Sequence, residues 1–313
     1  MALNLRGVIP AAITPMNPDC SINYDDLKNL IEGFIRDGSS GVQCVAHAGE
    51  VVKLDRSERR KVIETIVETV AGRVPVIAGL SSEYDLEAVE YAKEIKSIGA
   101  DAVMVLPPWH VFGSLSGVMG RGGSLDPTGE MNYSFHKQIA EEADIPIVLF
   151  NYGPSSVCGY TNEALAKLCT IDQVVGIKVI CSSMYQFQEI AKVVRNANPK
   201  VSLLSADDLT LYYSLVHGAD GALVGIANLK TKMWVDMFNL IKAFDFEGAR
   251  KIHEQLSPIM IATHDPIMVH VLRIKEALYQ LGLISSATIR KPPVPTHLDI
   301  EIVAKALKDS KLL

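Results

Sequence analysis

The chain has 313 residues and a net charge of −6 from 30 basic and 36 acidic side chains. Its 48% apolar and 21% charged content is that of a globular domain, which excludes disorder, and the missing basic excess excludes a nucleic-acid binder. No apolar run reaches the roughly 18 residues that span a bilayer, Met1 to Pro10 has no signal-peptide pattern, and the five scattered cysteines form no CxxC, so a reducing cytoplasm is expected.

Short apolar runs begin near Val8, Val42, Pro75, Ala102, Pro146, Val174, Val201 and Gly221, and longer amphipathic stretches separate them. Most runs are rich in Val, Ile and Ala without polar alternation, as strands of a parallel sheet covered on both faces must be. Three amphipathic stretches close on a glycine followed by a strand: Gly38, Gly99 and Gly218. Their separations are near two and four units of about 30 residues, the size of a βαβ unit. Eight such units define an α/β chain of (β/α)8 TIM-barrel type over residues 1–228, and no Gly-x-Gly-x-x-Gly follows the first strand to suggest an open dinucleotide-binding sheet.

After the fourth strand, Val111 to Glu130 is glycine-rich and reads as a loop on the face where barrels build their sites. Within the charged run from Asp55 to Lys61, Ser57 is expected to cap a solvated helix. Residues 229–313 are expected to form a C-terminal helical appendage, with Trp234, Phe238 and Ile241 at helical spacing and a proline-rich linker near Pro292.

The sixth run, Val174 to Ile180, contains Lys178. An ammonium ion in a covered strand is poorly solvated, and desolvation lowers a lysine pKa by up to several units. A lysine neutral near pH 7 attacks carbonyl carbon and forms a Schiff base, whereas one paired with a carboxylate is merely structural. Polar and small residues collect at other strand ends: His47-Ala48-Gly49-Glu50, Asn151-Tyr152, Ser205-Ala206-Asp207-Asp208 and Gly225 to Asn228. Asp207-Asp208 is expected to cap a helix starting at Leu209. His253, His264 and His270 lack a tight ligand spacing, and no metal is expected.

Taken in order, Gly7 to Pro15, Gly49-Glu50, Asp101 to Pro108, Gly176-Ile177-Lys178, Ser205 to Asp208 and Lys275-Glu276-Ala277-Leu278 with Leu281-Gly282 resemble the dihydrodipicolinate synthase / N-acetylneuraminate lyase family over nearly the whole chain. The resemblance implies a cytoplasmic class I aldolase or dehydratase that needs no cofactor beyond its covalent Schiff base. Lys178 would bond the C2 ketone of pyruvate or a 4-hydroxy-2-oxo acid, and His47, Ala48 and Gly49 would hold the substrate carboxylate. Trp109, Ser205 and Leu223 complete the expected substrate-binding set. The expected partners are a small 2-oxo acid, an aldehyde and further copies of the chain in a homotetramer or dimer, with no nucleic acid and no membrane.

Departures shape the reading. His47 and Ala48 stand where the family has hydroxyl residues, and His47 either takes over that proton relay or faces solvent. Phe150 stands where the family has a proton-shuttling tyrosine. Side chains repeat every two residues along a strand, so Tyr152 shares the side of Phe150 and is expected to act in its place as the catalytic tyrosine. The segment from Ser155 to Gly159 lacks the arginine of the synthase branch, and Pro107-Pro108-Trp109-His110 lacks its tyrosine pair. These changes favour an aldolase or dehydratase over a dihydrodipicolinate synthase condensing pyruvate with aspartate semialdehyde. A barrel that binds 2-oxo acids without turnover is the third reading.

Overall fold

The computed structural model describes residues 3–81, 85–105, 126, 128–152, 159–264 and 269–313. In chain order they form β1 (Gly7–Pro10), α1 (Tyr24–Arg36), β2 (Val42–Cys44), α2 (Arg56–Val70), β3 (Val76–Leu80), α3 (Asp85–Ile98) and β4 (Ala102–Val105). There follow α4 (Glu130–Ala143), β5 (Ile147–Asn151), α5 (Asn162–Leu168), β6 (Val174–Val179), α6 (Met184–Ala197), β7 (Ser202–Ser205), α7 (Leu211–Val216) and β8 (Gly221–Val224). The C-terminal helices are α8 (Thr231–Lys242), α9 (Phe246–His264), α10 (His270–Gln280) and α11 (His297–Asp309). This is the (β/α)8 barrel class with a C-terminal helical extension.

Each strand begins at, or one residue from, the start expected from its apolar run. The runs lack polar alternation because both faces are covered, as in β3 and β5, where every residue is buried. The three closing glycines all adopt the left-handed conformation, with φ of 89°, 102° and 94° at Gly38, Gly99 and Gly218, which releases the chain from its helix without a Cβ clash.

Contacts divide the chain into two compact units. The first comprises Met1–Arg6 and Pro75–Ala222. In it β3, β4, β5, β6, β7 and the start of β8 lie side by side in parallel, in chain order. The register aligns Phe150 of β5 with Lys178 of β6, and Lys178 with Leu204 of β7.

The second unit comprises Gly7–Val74 and Leu223–Leu313. Here Ala11 bridges Gln43 in parallel, and the Ala11 N–H donates to Val224 O. The Asn228 side chain accepts from Ile13 N–H and donates to Ala11 O, so the 228/229 boundary expected from the sequence lies inside this unit. Helix α2 starts one step earlier in its logic than expected. Asp55, not Ser57, is the cap: its carboxylate accepts from the Glu58 N–H while Glu58 accepts from the Asp55 N–H. Ser57 sits inside the first turn and spends its hydroxyl on Asp55. In α8, Trp234, Met237 and Ile241 are the buried stripe. Among the described residues no helix is long and apolar enough to cross a membrane.

Candidate active site

Lys178 is 6% exposed. Strand pairing on both sides leaves its side chain no route along the sheet. Its Nζ stands 4.6 Å from the centroid of the Phe150 ring, the register neighbour whose side chain leaves the sheet on the same side. Among the described residues no carboxylate forms an ion pair with Lys178 and none accepts a hydrogen bond from it. Burial pushes its pKa down to about 8, against the smaller opposing pull of the Asp208 carboxylate, itself buried. At pH 7 an amine of that pKa is neutral in roughly a tenth of molecules, against fewer than one in a thousand for an ordinary lysine.

Tyr152 follows β5 by one residue and is half-buried. Its ring meets that of Phe150 at 4.5 Å between centroids, so the two share a side, as strand alternation requires. Between them Asn151 points the other way and accepts from the Tyr160 N–H, tying the start and end of the β5–α5 connection.

Ser205 is placed differently from its expected role. It aligns with Val179, one step past Lys178, so its side chain leaves the opposite face of the sheet. There its hydroxyl accepts from Ser214 of α7 at 2.5 Å. The hydroxyl is spent on the helix layer because a one-residue step in a strand reverses the face. Asp207 accepts from the Leu209 and Thr210 N–H groups and so caps the turn before α7, which begins at Leu211 rather than Leu209. In the sequence Asp208 reads, with Asp207, as a helix cap; in the structure its charge also acts on Lys178. Leu223 is fully buried in β8. Trp109, and nearly all of the loop between Val111 and Glu130, lie outside the described residues.

The loop after β2 belongs to the second unit. Val45 and Glu50 frame it in the left-handed conformation, with φ of 50° and 57°. For a β-branched valine this is a strained geometry, held by the surrounding structure. Inside the turn the Glu50 N–H donates to His47 O and the Val51 N–H to Ala46 O. The N–H groups of Ala48 and Gly49, both residues buried, donate to no acceptor among the described residues. A Cβ on Gly49 would stand 3.0 Å from Val45 N, so any side chain there would push the Val45 backbone back by a few tenths of an ångström, and Thr14 holds the loop by donating to Gly49 O at 2.8 Å. The His47 side chain is exposed.

The relatives of this chain are synthases of a class I lyase-type enzyme family, and the chain is an enzyme of that type. The chain belongs to the dihydrodipicolinate synthetase family, whose sequence profile matches residues 4–309. It is 32% identical over 279 residues to a 4-hydroxy-tetrahydrodipicolinate synthase of Thermodesulfovibrio yellowstonii, covering 89% of each chain. It is 29% identical over 313 residues to one of Polynucleobacter asymbioticus, covering 99% of this chain and 96% of that one. Among solved structures, the dihydrodipicolinate synthase of Acinetobacter baumannii complexed with pyruvate is 27% identical and superposes with a TM-score of 0.85, covering 98% of this chain and 99% of that one.

Proposed function

We propose that the protein is a Schiff-base lyase, an aldolase or dehydratase, acting on pyruvate or a 4-hydroxy-2-oxo acid through Lys178. The observation that carries this reading is a buried amine with no ion-pair partner among the described residues and a pKa pushed down to about 8. The neutral Lys178 amine adds to the C2 ketone, and the carbinolamine loses water to give an iminium ion. The iminium accepts the electron pair released when a proton or the C4 carbon leaves C3. In a dehydratase the same pair then expels the C4 hydroxyl as water. Tyr152 moves the protons, to the carbinolamine oxygen and from the C4 hydroxyl. The Phe150 ring face favours the cationic iminium over the neutral amine. Ala48 and Gly49 N–H groups take the substrate carboxylate, and His47 stands at the solvent edge of that loop.

No arginine occurs between Arg121 and Arg195, so this stretch offers no guanidinium for a second substrate carboxylate. That favours a 2-oxo-acid lyase whose other partner is a neutral aldehyde. The second reading is condensation of pyruvate with aspartate semialdehyde, and what favours it is the name of the curated relatives, 4-hydroxy-tetrahydrodipicolinate synthase. Borohydride reduction in the presence of a panel of 2-oxo acids tests the shared chemistry: a mass increment on the peptide bearing Lys178 is expected. No increment with any 2-oxo acid ends the Schiff-base reading. Consumption of aspartate semialdehyde with pyruvate decides between the two reactions.

A further inference from the structure

Two motifs far apart in the sequence, Gly49-Glu50 and Lys275-Glu276-Ala277-Leu278, meet inside the second unit. Lys275 of α10 has no exposed surface, and its Nζ lies 2.5 Å from Oε1 of Glu50, which is 4% exposed. Lys275 also donates to Thr288 O at 3.0 Å. The other Glu50 oxygen accepts from Lys53 at 3.1 Å, and Lys53 donates onward to Arg290 O. Arg290 closes the set by donating to Lys53 O and Cys20 O and forming a two-point pair with Glu58.

This arrangement is expensive as a stabilising device. Taking two charges out of water costs several kcal/mol per ion, and a well-packed apolar pair of similar volume is often equally stable. What an ion pair supplies and an apolar pair does not is direction. Glu50 is the residue directly after the Ala48 and Gly49 donors, and its backbone is held at a φ of 57° that a glutamate seldom adopts unaided.

We propose that the Glu50–Lys275 pair is a positioning device for the carboxylate-binding loop. It pulls Glu50 toward α10, fixes the left-handed turn, and so aims the Ala48 and Gly49 N–H groups at the substrate carboxylate. Both residues act through the loop and touch no substrate. The inference rests on the reading that this loop takes the carboxylate of a 2-oxo acid.

The test is the double variant E50Q/K275M, which removes both charges of the pair together and leaves Lys53, part-exposed, with its bond to Arg290 O. Its melting temperature is measured beside the wild type. The ketone concentration giving half-maximal borohydride-trapped adduct is measured with pyruvate and with acetone, which has no carboxylate. The expected result is an unchanged or higher melting temperature and a half-saturating pyruvate concentration raised about tenfold, the loss of one well-aimed charge-assisted hydrogen bond. Acetone half-saturation and the trapping rate at saturating pyruvate stay within twofold. Glu50→Gln alone, which keeps an amide oxygen facing Lys275, is read in parallel and gives a several-fold rise for pyruvate only. A wild-type value for pyruvate in both variants overturns the positioning role. So does an equal loss for pyruvate and acetone, which marks general disorder. A wild type that traps pyruvate no better than acetone overturns the carboxylate-loop reading itself, and one that traps neither overturns the Schiff base.

Discussion

Lys178 and Lys275 are both withdrawn from water, and they have opposite company. Lys275 has a carboxylate at 2.5 Å and a carbonyl at 3.0 Å. Lys178 has an aromatic face at 4.6 Å and, among the described residues, no acceptor at all. Burial lowers the pKa of both, but around Lys275 the Glu50 charge opposes it at contact distance. At Lys178 the opposing carboxylate, Asp208, makes no ion pair with the amine. The same side chain is held in the framework where a carboxylate and a carbonyl meet it, and is left with a lowered pKa where burial meets no contacting counter-charge.

The comparison is broken most decisively by methionine at each lysine. Lys178→Met should abolish borohydride trapping, a loss beyond about ten-thousandfold against a nucleophilic reaction with no substitute amine. The two variants should also move stability in opposite directions. The folded pKa of Lys178, about 8, lies below the ordinary 10.5. Between those values the unfolded chain holds more protons, so the Lys178 contribution to stability rises with pH across that window, and its full cost is present below pH 8. Removing it should stabilise the protein at pH 7 by about 1–3 kcal/mol. Lys275→Met leaves Glu50 buried with Lys53 alone and should destabilise by about 3 kcal/mol, both read from denaturant midpoints.

Tyr152→Phe keeps the ring against Phe150 and removes the hydroxyl. It should lower kcat about a hundredfold with KM within twofold, measured in steady state. A normal kcat would remove Tyr152 from proton transfer. The trapping rate at fixed, subsaturating pyruvate should rise close to tenfold from pH 6 to 7 and level off above about 8, as the Lys178 amine becomes neutral. A flat profile would mean that the amine is neutral already at pH 6. Phe150→Leu should have the smallest effect, weakening pyruvate adduct formation about threefold by removing the aromatic face from the iminium.

The starved lysine was legible in the sequence because it interrupts a run that is otherwise apolar, and the shared side of Phe150 and Tyr152 followed from strand alternation alone. The strand starts and the three closing glycines carried local signals of the same kind. What escaped depended on partners elsewhere. Ser205 was expected to face the substrate, yet the stagger between β6 and β7 sets it opposite Val179, one step out of phase with Lys178. Asp55 displaced Ser57 as the cap of α2 because the reciprocal bond with Glu58 outweighs a lone hydroxyl. The action of Asp208 on Lys178 and the meeting of Glu50 with Lys275 have no periodicity to betray them, since both are products of tertiary packing.

The clasp around Arg290 also bears on the order in which the protein can become competent. Lys53 and Arg290 exchange hydrogen bonds across 237 residues of chain. During synthesis the amino-terminal turn that carries the free donors leaves the ribosome long before Lys275, Thr288 and Arg290 are made. The partners of Glu50 and Lys53 therefore arrive only with about the last eighth of the chain, and a nascent protein stalled before α10 would already contain Lys178 while lacking the Lys275 amine that pairs with Glu50.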